Sequence, residues 1–67
     1  MIPVVTNIKN LMEEKGVTVN ALSQRLDISP QAIYHWFYGV SLPTIEHIYS
    51  IADILEVPVH TLFYDNE

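Results

Sequence analysis

The sequence predicts an all-α fold, a compact bundle of five helices, on three observations. Apolar residues recur at helical spacing in successive segments. Capping residues stand where those segments begin, and glycine, proline or a turn-forming residue stands where they end. No stretch alternates apolar and polar residues as a half-buried strand does. At 67 residues only one domain fits, with a core over about residues 6–63. A chain this short buries only about 60 % of its unfolded surface, so that core must be economical.

In residues 3–15 the apolar Val5, Ile8, Leu11 and Met12 share one helical face, and Gly16 stops the helix. Thr18 caps a second helix on which Leu22 and Leu26 lie one turn apart, ending near Leu26. Asp27 stands where the chain must turn, in a position that takes the left-handed conformation. Ser29 caps the third helix, Pro30 occupies its first turn at no hydrogen-bonding cost, and Gly39 closes it. After the connector Val40-Ser41-Leu42-Pro43, Thr44 caps a fourth helix with the apolar stripe Ile45, Ile48, Ala52 and Leu55. Pro58 breaks that helix, residues 59–63 add a turn or two, and a polar tail follows. The predicted core is Ile8, Leu11, Leu22, Leu26, Ile33, Trp36, Ile48, Ala52, Leu55 and Leu62.

Composition narrows the function. With 49% hydrophobic and 16% charged residues the chain is too apolar for disorder. Its apolar runs fall short of the ~20 residues of a membrane span, and the first residues do not read as a signal peptide. Zero cysteines exclude disulfides and thiolate metal sites, and suit a reducing cytoplasm. The three histidines His35, His47 and His60 have no paired ligand spacing, so no metal or cofactor is expected. Glu13-Glu14 sits on the solvent side of helix 1, and no nucleophile, base and acid converge, so the chain does not read as an enzyme.

Helices two and three, joined by a tight turn, have the layout of a helix-turn-helix. The third helix directs Ile33 and Trp36 inward and offers Gln31, Ala32, Tyr34 and His35 outward, as a recognition helix offers side chains to base edges in the major groove. Gln31 has the amide geometry to read adenine, and Ala32 can meet a thymine methyl. Trp36 and Phe37 serve chiefly as core, leaving Phe37 or Tyr38 to face solvent. The charge opposes this reading. Lys9, Lys15 and Arg25 face eight acids, for a net charge of −5, whereas phosphate neutralisation by cations supplies most non-specific affinity for DNA.

Over most of its length, from about Ile8 to Phe63, the sequence resembles the Cro and phage-repressor class of helix-turn-helix domains, the xenobiotic response element family. The elements that carry the likeness are Glu14-Lys15-Gly16-Val17-Thr18, Leu22-Ser23-Gln24-Arg25-Leu26-Asp27-Ile28-Ser29, Ile33 with Trp36 and Gly39, Leu42-Pro43-Thr44-Ile45, Ile51-Ala52-Asp53-Ile54-Leu55-Glu56-Val57, and Leu62-Phe63. The helix 3 sequence is also similar to short single-domain bacterial regulators. The resemblance implies a lambda-repressor-like five-helix bundle and a bacterial or phage transcriptional regulator that binds double-stranded DNA, as a homodimer at least when on DNA. It also implies backbone contacts from Thr18, Asn20, Arg25 and Ser41. The family often has Gln where Val19 stands and a cation after Gly39, where Val40-Ser41 stands. Asp27 and Glu56 replace two glycines at helix ends. The alternative reading is the same fold used as a protein-interaction module, suggested by the net charge and by the apolar Val19, Phe37, Tyr38 and Val40.

Overall fold

The computed structural model describes residues 4–64. Helices α1 (Val4–Lys15), α2 (Val19–Leu26), α3 (Pro30–Phe37) and α4 (Ile45–Leu55) are followed by a 3-10 helix, Val59–Leu62. No strand occurs among the described residues. The expected bundle of five helices is therefore four α-helices and one short 3-10 helix. Pro58 holds an extended conformation, and only four residues separate it from Phe63. Bonds from Thr61 N–H to the Pro58 carbonyl and from Phe63 N–H to the His60 carbonyl close tight three-residue turns instead. Of the first five residues, read for a signal peptide, Met1, Ile2 and Pro3 lie outside the described residues, while Val4 and Val5 open α1.

Helix starts and ends follow from side-chain chemistry. Thr18, Ser29 and Thr44 each accept a hydrogen bond from the backbone N–H three residues on, those of Ala21, Ala32 and His47, at 3.1, 3.3 and 3.1 Å. All four α-helices end alike, on a residue of positive φ: Gly16, Asp27, Gly39 and Glu56. The next residue's N–H bonds back five positions, from Val17 to Met12, Ile28 to Ser23, Val40 to His35 and Val57 to Ala52. α3 thus ends at Phe37, slightly before Gly39 closes it.

Eleven buried residues form one core, to which every helix contributes. Leu26 is only half-buried, because it ends α2 at the rim where the chain turns away. Ile45, expected in the α4 stripe, is 62% exposed, while Ile51 is completely buried. At ~100° per residue the arc of Ile48, Ile51, Ala52 and Leu55 faces the core and Ile45 falls at its edge. Met12 joins the core beside Ile8 and Leu11. Asn7 is buried as well: its Nδ2 donates to the Leu62 carbonyl at 3.1 Å and to the Tyr64 carbonyl at 2.8 Å, fastening α1 to the end of the fold. α2 packs on α3 and α4, and α1 on α3, α4 and the 3-10 helix, so α3 is braced from behind along its length.

Candidate nucleic-acid interface

α3 is anchored by Ile33 and Trp36, buried three residues apart. Trp36 also reaches α4, where its ring lies 5.7 Å from that of His47. With that face committed, Gln31 and Tyr34 are exposed, while Ala32 and His35 are half-buried. Gln31 stands in the first turn, free to extend. Tyr34 is held by its neighbours: its ring stacks on Tyr38 at 6.4 Å with an interplanar angle of 20° and meets Phe37 edge-on at 6.3 Å. Packing of this kind fixes where its hydroxyl points without occupying that hydroxyl.

Thr18, Asn20, Arg25 and Ser41 are all exposed. The Thr18 oxygen accepts the cap bond from Ala21, so its own proton remains available to a phosphate oxygen. Beside it, α2 begins with N–H groups that have no partner within the helix, the usual seat of an anion. The loop after α3 is different. The backbone N–H groups of Val40 and Ser41 both donate to the His35 carbonyl, at 2.9 and 3.3 Å. They are spent inside the turn, so of Val40 and Ser41 only the Ser41 hydroxyl is left to offer.

A groove of about 370 Å³, lined by α1, the α1–α2 turn and α3, runs beside this surface. Met12, Val17, Val19 and Phe37 form apolar walls, and Lys9, Glu13, Thr18, Tyr34 and Tyr38 supply the polar groups. The Lys9 ammonium lies 5.9 Å from the centre of the Phe37 ring, which holds a cation next to α3. Sequence reading had not joined Lys9 to this surface. Its one signal is the spacing of Tyr34, Phe37 and Tyr38, which share a single flank of α3.

The family model for helix-turn-helix proteins matches residues 8–62. The chain belongs to the helix-turn-helix family. No curated protein and no solved structure matches it significantly. The match covers all of α2, α3 and the turn between them, so the helix-turn-helix assignment rests on the same residues as the geometry above.

Within this helix-turn-helix the charges are distributed unevenly. Residues 16–45 span α2, α3 and the following loop, and contain only Arg25 and Asp27 as charged residues, so that unit is neutral. Residues 28–45 contain no Asp, Glu, Lys or Arg at all. Residues 1–15 are neutral too, Lys9 and Lys15 balancing Glu13 and Glu14, so the whole net charge of −5 is carried by residues 46–67. No helix among the described residues is long and apolar enough to cross a membrane.

Proposed function

We propose that the chain is a sequence-specific DNA-binding transcriptional regulator acting in the cytoplasm, one half of a homodimer on a partly symmetric duplex. α3 enters the major groove. Gln31, Ala32, Tyr34 and His35 meet base edges, while Thr18, Asn20, Arg25 and Ser41 meet the sugar-phosphate backbone. The observation that carries this reading is the charge distribution: residues 16–45 are neutral, and the chain's net charge of −5 lies entirely in residues 46–67. A polyanion repels carboxylates, and the surface that must approach it has been kept nearly free of them. With few cations to neutralise phosphate, base readout carries an unusual share of the binding.

A second reading, a protein-interaction module of the same fold, draws on the net charge of −5 and on the groove walled by Phe37 and Val19. One experiment separates them. Duplexes selected from a random library against the full chain yield a consensus, and Gln31→Ala then weakens binding to that site by about 1–3 kcal/mol with little effect on scrambled duplex. A library that yields no enriched duplex at low salt rejects the DNA reading and leaves the interaction module.

A further inference from the structure

We propose that the groove between α1 and α3 is a binding site for a small zwitterion that carries an aromatic ring, of which an aromatic α-amino acid is the simplest example. At about 370 Å³ it falls at the lower end of the ~300–1,000 Å³ range of small-molecule sites, room for one ring and its polar head. Its two walls are unlike. On α1, Lys9 and Glu13 lie one helical turn apart, with the buried Met12 at their base. Across from them Tyr34, Phe37 and Tyr38 present one flank of α3, and Val17 and Val19 add aliphatic surface from the turn and the start of α2. One wall therefore offers a positive and a negative charge side by side, and the other offers rings.

The two charges select the occupant. Lys9 stands N-terminal to Glu13, the weaker order for a pair four residues apart, and its ammonium leans over the Phe37 ring, 5.9 Å from the centre. A ligand with a carboxylate alone meets Glu13 as a like charge, and is repelled besides by the net −5 of residues 46–67. A ligand with an amine alone meets Lys9. A zwitterion answers both and carries no net charge through that field. Its two charged groups branch from one carbon, which suits partner side chains ~5–6 Å apart on one helix face. The ring, projecting from the same centre, crosses to the aromatic wall, where edge-to-face and offset contacts with Tyr34 and Phe37 are favourable. Lys9 and Glu13 are both exposed, so binding is weak, with a Kd of order 1 mM. Thr18 and Tyr34 line the groove and are also among the residues proposed to meet DNA, so ligand and duplex exclude one another. Only this last step rests on the proposed DNA role.

Titration of the isotope-labelled full chain with L-phenylalanine at neutral pH, followed through the NMR shifts of α1 and α3 amides, tests the site. Saturable shifts are expected. L-alanine, which lacks the ring, phenylpropionate, which lacks the ammonium, and phenethylamine, which lacks the carboxylate, each bind more weakly. Lys9→Met and Glu13→Gln each weaken phenylalanine binding by about two- to fivefold, the worth of an exposed ion pair. They act in opposite senses on the single-charge probes: Glu13→Gln improves phenylpropionate and Lys9→Met improves phenethylamine. Tyr38→Ala, at a side chain 77% exposed and so outside the core, weakens binding as well, while Tyr38→Phe keeps it. The site is overturned if phenylalanine gives no saturable shifts at about ten times the expected Kd, if either single-charge probe binds as tightly as phenylalanine, or if the charge variants bind as the wild type does. With phenylalanine at ten times its measured Kd, affinity for the selected duplex falls about tenfold. Unchanged duplex affinity under those conditions removes the competition and leaves the site standing. Phenylalanine binding with no selected duplex leaves the site standing and removes the DNA reading.

Discussion

Replacing Glu56 by Gly should stabilise the protein, although it removes a whole side chain. Glu56 ends α4 with φ 60° and ψ 44°, and its N–H bonds back to the Asp53 carbonyl. The left-handed conformation costs a non-glycine residue about 1–2 kcal/mol. A carboxylate beside carbonyls at a helix C-terminus adds roughly 0.3–1 kcal/mol. Against this, glycine's greater freedom in the unfolded chain costs about 0.4–1 kcal/mol. The net gain is ~1–2 kcal/mol, or about 5–10 °C in Tm for a domain of this size. Urea and thermal unfolding followed by circular dichroism measure it. Glu56→Gln keeps the conformation and removes the charge, so it recovers only the electrostatic part. Glu13→Gly, in the exposed interior of α1, should instead lose about 1 kcal/mol. A Glu56→Gly protein no more stable than Glu56→Gln would refute the reasoning.

Three further outcomes follow from the packing and from the proposed interface. Leu22→Ala, at a completely buried α2 position, should cost ~2–5 kcal/mol, a large share of the ~3–10 kcal/mol expected for a chain this short, and denaturant titration reads it directly. Asn7→Asp turns the donor to the Leu62 and Tyr64 carbonyls into an acceptor facing acceptors; it should cost about 1–3 kcal/mol at neutral pH in the same assay. Val40→Lys should strengthen binding to all duplexes alike and steepen the salt slope by about one, measured on a single half-site so that pairing does not enter.

Most helix boundaries were legible because the signals are local: a hydroxyl three residues ahead of an N–H, Pro30 in a first turn, Gly16 and Gly39 beyond last turns. Ile33 and Trp36, three residues apart, likewise predicted which way α3 faces. The phase of α4 was harder to read. Ile45, Ile48, Tyr49, Ile51, Ala52, Ile54 and Leu55 cover more than half the helix circumference, so packing partners decided that Ile51 is buried and Ile45 exposed. Asn7 gave no local sign, because its acceptors lie 55 and 57 residues away. The groove was hidden for the same reason: Lys9 and Phe37 belong to different helices. The last helix was expected from its apolar residues, but four residues behind a proline closed only tight turns.

The central claim, that an acidic helix-turn-helix reads duplex DNA mainly through base contacts, is tested most directly by its salt dependence. Titrations of the wild type on its selected duplex and on a scrambled one, over a range of salt concentrations, give the slope of log affinity against log salt. With three Lys and Arg in the chain, the slope should be about −3 or shallower for each bound copy, and preference for the selected duplex should persist as salt rises. A steeper slope per copy, or a preference that disappears with salt, would contradict the account.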